Sequence, residues 1–213
     1  MTFPDDFNAV VAALGAAADE DSALREMMSE RRYDHSRGAA ELAETLARQY
    51  GHPAPALVRR AALLHDVGRV LTPRAMKGIS DWRGWPPDDV EKAVGPGLLH
   101  GPAGAAVASA LGLPAEGAAA IRYHVTGRPE PTLADRIIMA ADAAEESRSY
   151  AWAPPAREAL AESLDLAVAF WLIVKAGAVR AAGRVPHSRS AETLATLDGA
   201  VVRRARRLAE PFL

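Results

Sequence analysis

Residues 61–69 read Ala61-Ala62-Leu63-Leu64-His65-Asp66-Val67-Gly68-Arg69. An apolar run of helical character ends in a histidine directly followed by an aspartate, and a glycine closes it. Burying a neutral ring beside a carboxylate is costly unless something compensates both. A divalent cation does so at once, because imidazole nitrogen and carboxylate oxygen are both good ligands for a borderline metal. A hydrogen-bonded His-Asp pair, or a histidine favoured by the negative end of a helix dipole, is the plainer alternative. The rest of the chain has to decide between them.

Helical periodicity extends outward from this stretch in both directions. No two β-branched, period-two runs are joined by a hairpin signal, so the expected fold class is all-α. Helices are expected over Phe7–Ala18, Ser22 to about Glu30, and Arg32 to Tyr50, the last stopped by Gly51 and Pro53. The helix carrying His65 is expected from Ala54 to Val67. Thr72-Pro73 reads as N-cap and N1 of a short helix through Met76. Residues 78–97 are the least regular part, with a short helix expected over Pro87–Val94. Further helices are expected over Leu98–Leu111 and Pro114–Val125. Thr132 and Asp135 form a capping-box pattern that opens a helix to about Tyr150. A long helix from Pro154-Pro155 to Ala182, a turn at 183–186 and a final helix over Ser190–Leu208 complete the reading. One domain is expected over residues 21–213, with residues 1–20 as an N-terminal helical extension.

At 213 residues such a domain can bury a sizeable core. The net charge of −2 gives no electrostatic reason to expect a nucleic-acid partner. The absence of cysteine removes disulfides, thiolate nucleophiles and cysteine-type metal sites together, and fits a reducing compartment. Residues 1–6 show no charged and apolar leader pattern. The longest strongly apolar run, Leu166–Val174, falls far short of the roughly 20 residues that span a bilayer. It reads as core or as the face of a homodimer. The expectation is therefore a cytoplasmic protein with no membrane partner.

Chemistry concentrates in the histidines at 35, 65, 100 and 124. His35 shares a helical stripe with Ala39, Leu42 and Leu46, and His65 with Val58 and Ala62. His100 lines up with Ala103, Val107 and Leu111, His124 with Ala120 and Ile121, and Asp142 with Ile138 and Ala134. These are core-facing stripes. A single inward histidine is ordinarily a satisfied structural residue, but four with two aspartates accumulate a burial cost that calls for a shared compensation. A metal centre inside a helical bundle supplies one. Six protein ligands suit two ions about 3.5–4 Å apart, and Asp66 is the natural bridge. Nitrogen and oxygen ligands alone do not select among zinc, iron and manganese. His52 and His187 sit beside prolines in expected turns and stay outside the set.

The ordered set His35, His65-Asp66, His100, His124, Asp142 resembles the HD-domain phosphohydrolases. The segments Arg32-Tyr33-Asp34-His35, Leu98-Leu99-His100-Gly101-Pro102 and Ile121-Arg122-Tyr123-His124-Val125-Thr126-Gly127-Arg128-Pro129 narrow the likeness to the YqeK-type branch, bacterial symmetrical diadenosine-tetraphosphate hydrolases with a di-iron centre. The resemblance runs from about Ser22 to the C-terminus. Arg69 stands where that branch usually has lysine, and Ala144 and Glu146 replace an apolar residue and a proline after Asp142. The resemblance implies an HD helical bundle, two divalent ions (iron foremost, manganese or another transition metal otherwise) and central cleavage of diadenosine tetraphosphate to two ADP by a metal-activated water. Other readings are a phosphohydrolase of a nucleoside triphosphate, a (d)NDP or an alarmone, or a non-catalytic nucleotide-binding module.

Within that frame Asp66, Arg69 and Arg128 are the expected catalytic residues. Arg122, Thr126, Gly127, Arg128, Glu145 and Arg148 are the expected substrate contacts, with Glu145 and Arg148 also placed to support the metal ligands. Trp82 and Trp85 are candidates to stack a base. Arg203, Arg204, Arg206 and Arg207 read as a solvated basic face.

Overall fold

The structure, a computed structural model, describes residues 5–80 and 86–213. Trp82 and Trp85 lie outside the described residues. Among those described, the chain forms thirteen α-helices and no strand: α1 (Asp5–Ala16), α2 (Glu20–Met27), α3 (Glu30–Gln49), α4 (Pro55–Leu64), α5 (Pro73–Ser80), α6 (Asp89–Val94), α7 (Pro96–Ala110), α8 (Ala115–Tyr123), α9 (Leu133–Ala144), α10 (Ala153–Glu162), α11 (Leu164–Ala181), α12 (Ser188–Ala195) and α13 (Gly199–Ala209). Short 3-10 turns occupy Val67–Val70 and Glu210–Phe212. No helix among the described residues is long and apolar enough to cross a membrane.

α3 packs on α4 and α9, α7 on α8 and on the Val67–Val70 turn, and α11 on α9, α10 and α13. α7 is buried without interruption from Leu98 to Ala108. An all-round apolar helix of small residues belongs at the centre of a bundle. The Leu166–Val174 run of α11 is likewise buried within this one chain, with Phe170, Trp171 and Leu172 fully enclosed. α1 inserts Phe7, Val10 and Leu14 into the same core cluster, and Asp6 accepts a hydrogen bond of 2.6 Å from the Thr72 hydroxyl. Residues 5–16 are thus packed against the bundle.

The largest departures from the sequence reading each have a local reason, and α5 also runs one turn past Met76, to Ser80. α4 stops at Leu64 and not at Val67, because the chain must turn to bring Gly68 against α7. A Cβ on Gly68 would lie 2.2 Å from the His100 carbonyl oxygen and 2.8 Å from the Gly104 nitrogen, so only glycine permits this approach. α9 opens on the expected box, the Thr132 side chain accepting from Asp135 and the Asp135 carboxylate from Thr132. It ends at Ala144, well before Tyr150, because Arg157 donates to the carbonyls of Ala144, Glu145, Glu146 and Arg148 and so satisfies the helix end. The expected 154–182 helix is two helices, divided at Ser163. That residue is extended, and its hydroxyl caps α11 by accepting from the Leu166 amide at 3.1 Å. The expected 190–208 helix is divided in the same way by Asp198, which caps α13.

Candidate metal centre

The polar cluster is assembled from helix ends. His65 follows the last residue of α4 and His124 the last residue of α8, while His35, His100 and Asp142 project from within α3, α7 and α9. Asp66 sits at φ −97°, ψ 6°, between α4 and the 3-10 turn. The structure brings all six residues together, each of them buried. The Nε2 atoms of His35 and His65 are 3.1 Å apart, and those of His100 and His124 are 3.0 Å apart. Asp142 Oδ1 is 3.0 Å from His35 Nε2 and 3.5 Å from His65 Nε2. Asp66 Oδ1 is 3.3 Å from His100 Nε2. Two sets have ligand atoms mutually within 4.8 Å: His35, His65 and Asp142; and His65, Asp66 and His124.

The opposite ring nitrogens settle what these atoms are. Nδ1 of His65 lies 2.6 Å from the Ala62 carbonyl, Nδ1 of His100 3.1 Å from that of Pro96, and Nδ1 of His124 2.7 Å from that of Ile121. A carbonyl only accepts, so in each ring Nδ1 carries the proton and Nε2 presents a lone pair. His35 donates from Nδ1 to Glu145 Oε1 at 2.8 Å. Four nitrogen lone pairs and two carboxylates therefore converge, with Arg148 Nη2 donating to Asp142 and lying 3.0 Å from His35 Nε2 at one side. That donor set, with each ring oriented from behind, fits a divalent cation.

The electrostatics agree. Burial would raise the Asp66 carboxyl, but His65, His100 and Arg69 outweigh it and hold it well below the usual carboxylate range. Burial is likewise overcome at Asp142, by Arg148 and by the neighbouring His35 and His65. At Glu145 it is overcome by the hydrogen bond from His35. Burial, with Arg69 nearby, drives His100 well below the ordinary imidazole value. Burial and the neighbouring His65 lower His124 to about 4. These two rings are neutral at pH 7 and ready to ligate. His35 goes the other way: burial lowers it, but the carboxylates of Asp142 and Glu145 on either side of the ring leave it raised.

A cavity of about 460 Å³ opens over the cluster, with His35, Asp66, His124 and Asp142 in its lining. Arg69 donates from Nε to Asp66 Oδ1 at 2.6 Å, and Arg148 binds the Asp142 carboxylate. Both of these expected residues line the cavity. Glu145 lies behind His35, where its carboxylate accepts from Nδ1. The remaining expected contacts are placed elsewhere. Arg122 is buried and paired through both terminal nitrogens with Glu91, which is fully enclosed. Arg128 is held by Asp135, with Nε 2.8 Å and Nη2 2.7 Å from Oδ2, because that carboxylate also closes the α9 capping box and needs a counter-charge. The Thr126 hydroxyl donates to the Gly127 carbonyl at 3.0 Å. Gly127 has φ +68°, its amide donates to Tyr123, and a Cβ there would lie 2.3 Å from Thr193 Oγ1. Neither offers a free donor to the cavity over the cluster. His52 and His187 are also remote, beside Glu116 and Asp88.

The sequence reading missed several members of this wall: Arg31, Arg32, Tyr150, Trp152 and Lys175 all line the cavity. Arg32, 3.7 Å from Asp66 Oδ2, is one residue short of a turn before His35, a spacing that was legible. Tyr150 and Trp152 stack with centroids 5.2 Å apart and an interplanar angle of 8°, and Arg148 lies 5.7 Å and 5.6 Å from their rings. They occupy a connection that no periodicity marks.

Comparison with known proteins gives this geometry a lineage. The HD domain family model matches residues 32–146, which holds all six clustered residues. Over 129 residues the chain is 32% identical to a symmetrical bis(5'-nucleosyl)-tetraphosphatase of Bacillus subtilis, covering 60% of this chain and 68% of that protein. A protein of the same name from Halalkalibacterium halodurans is 34% identical over 125 residues, 58% of this chain and 65% of that one. The crystal structure of a predicted HD superfamily hydrolase involved in NAD metabolism from Clostridium acetobutylicum superposes with a TM-score of 0.72 at 24% identity, covering 95% of this chain and all of that one, which speaks for the fold. The all-α HD bundle expected from the sequence is the fold observed, and the chain belongs to the HD-domain family as one of its phosphohydrolases.

Proposed function

We propose that this protein hydrolyses dinucleoside polyphosphates, cleaving diadenosine tetraphosphate at its centre to two ADP, with two divalent ions held by His35, His65, Asp66, His100, His124 and Asp142. The observation that carries this reading is the convergence of four Nε2 lone pairs and two carboxylates on the floor of a cavity walled by arginines. The activity for which the two bacterial relatives are named favours this substrate. Iron is the metal the sequence resemblance favours. Such ions, when bound, lower the pKa of a coordinated water and neutralise phosphoryl oxygens.

The chain's own contribution is orientation and charge. Asp66, with Oδ1 3.3 Å from His100 Nε2 and a carboxylate oxygen within 4.8 Å of ligand atoms of His65 and His124, would be the carboxylate shared between the ions. Arg69 and Arg32 flank it on the cavity side and stabilise charge on phosphoryl oxygens. Arg148 does the same beside Asp142, and its stack on Tyr150 and Trp152 fixes its reach. Arg69 takes the catalytic role expected of it. The part expected of Arg128 passes to Arg148, which faces the cavity. Glu145 orients His35 from behind.

The test is direct. Metal-loaded protein is incubated with diadenosine tetraphosphate, and the products are separated by ion exchange. ADP alone supports central cleavage, and AMP with ATP refutes it. No product, with turnover of a nucleoside triphosphate, a (d)NDP or an alarmone, moves the assignment to that nucleotide.

A further inference from the structure

Lys175 follows the buried Leu166–Val174 run of α11, beyond the segment that the HD family model matches. It is half-buried, and its Nζ lies 4.0 Å from the centroid of Trp171, one turn earlier. The Trp171 indole in turn donates from Nε1 to the His124 carbonyl at 2.9 Å, so the surface on which the ammonium rests is fixed to a cluster residue. Among the described residues no carboxylate or other acceptor is hydrogen-bonded to Lys175. Of the other cations of the wall, Arg69 is bound to Asp66 and Arg148 to Asp142, while Arg31 rests on the Tyr150 ring. Burial lowers the Lys175 pKa to about 8, which leaves it charged at neutral pH.

Its position is equally specific. Lys175 lines the cavity over the cluster and also a second one of about 340 Å³, walled by Val94, Leu98, Val179 and Pro186. Arg69, Val125 and Ala178 are the other residues common to both. The ammonium therefore stands at the junction of a polar chamber and an apolar one. An ammonium that rests on a ring face keeps its N–H donors for water or for an anion that enters the cavity.

We propose that Lys175 binds a phosphate of the substrate's polyphosphate chain away from the histidine cluster, at the junction of the two cavities, and so favours chains that extend beyond the scissile group. This rests on the reading of the cavity as a polyphosphate site. The phosphate is the missing hydrogen-bond acceptor for the ammonium. Wild-type protein, Lys175→Met and Lys175→Arg are compared for metal content, for melting temperature with and without inorganic tripolyphosphate, and for KM and kcat on diadenosine tetraphosphate against bis-p-nitrophenyl phosphate.

Lys175→Met should keep its metal and melt no lower than wild type. Its tripolyphosphate affinity should fall about ten- to a hundredfold, the worth of one charge-assisted hydrogen bond. KM for the long substrate should rise while the short diester is unaffected, and Lys175→Arg should recover part of the loss. Equal tripolyphosphate affinity in wild type and Lys175→Met, or no binding by wild type, overturns the proposal. So does a lower melting temperature with unchanged ligand shift, which would make Lys175 structural. Lysine-dependent tripolyphosphate binding by a protein that leaves diadenosine tetraphosphate intact would sustain this inference and refute the proposed substrate.

Discussion

Two buried polar clusters meet at the end of α8, and Arg122 belongs to one while His124 belongs to the other. Around Arg122, the carboxylates of Glu91 and Asp88 are met by Arg122, Arg189 and His187. Asp88, Glu91 and His187 have the residue types and spacing of a metal triad. Yet both carboxylates already have guanidinium partners, so the protein supplies its own cations there. Around His124 the carboxylates also have guanidinium partners, Arg69 for Asp66 and Arg148 for Asp142, but four imidazole Nε2 atoms converge beside them, and only that of His35 has a guanidinium within hydrogen-bond distance. Residue type does not separate a structural network from a candidate site, whereas the inventory of donors does.

The contrast is broken most severely at Asp66. Asp66→Ala removes the one carboxylate between the two histidine pairs, and both bound metal and hydrolysis should be lost. A rate loss on the order of 10³-fold is expected. Elemental analysis of the purified variant and the ion-exchange assay check both parts. Full turnover would end the bridging role.

The other cluster should respond in stability alone. Arg122→Met leaves the enclosed Glu91 with only part of its counter-charge, and breaking such a buried pair costs about 3–5 kcal/mol. Denaturant unfolding reads this cost. Metal content per folded molecule and KM should stay at the wild-type values. A raised KM with unchanged stability would return Arg122 to the substrate contacts that its place in the sequence suggests.

That divergence marks what the sequence could convey. Helical faces carried His35, His65, His100, His124 and Asp142 to one interior, because period 3.6 alone tells which side of a helix is buried. Periodicity cannot tell that α11 and α12 are separate from their neighbours. Ser163 and Asp198 act as caps through hydrogen bonds within one turn, inside stretches whose apolar pattern continues. Proximity in sequence does not bring Arg122 or Arg128 to the lining of the cavity over the cluster. Each follows or precedes His124 closely, yet each is claimed by an acid, Glu91 or Asp135, far from it or in the next helix. Lys175 lies 51 positions beyond His124 in the chain, and only the packing of α11 brings it to the same cavity.

Acid sharpens the contrast with a smaller effect. The His124 pKa falls from about 6.5 unfolded to about 4 in the folded protein, and His100 is depressed as well. Between these values the unfolded chain binds more protons, so metal-free stability is full above about pH 6.5 and falls as pH drops toward 4. His35, raised when folded, contributes in the opposite sense, its stabilisation present at low pH and lost as pH rises through its folded value. The two depressed rings should outweigh it. Melting curves of metal-free protein from pH 7 to pH 4 should therefore shift downward, and His124→Asn should flatten the slope. An equal slope in the variant would mean that the depressed ring plays no part.

Arg128 offers a gentler test, because its partner keeps other donors. Asp135 is buried with Oδ1 unbonded, but Oδ2 accepts from the Thr132 amide and hydroxyl as well as from Arg128, and the guanidinium is partly exposed. Arg128→Ala should therefore cost about 1–3 kcal/mol, the scale of a lost hydrogen bond to a buried charged group. Thermal unfolding reads the stability, and steady-state kinetics read the rest. Because the α9 cap survives on Thr132, Asp142 near the far end of that helix should stay in place, and with it the metal and kcat. A large fall in kcat at near-normal stability would put Arg128 back among the residues that touch phosphate. It would also require the Asp135 pair to open when substrate binds, since Arg128 cannot hold the carboxylate and reach the cavity at once.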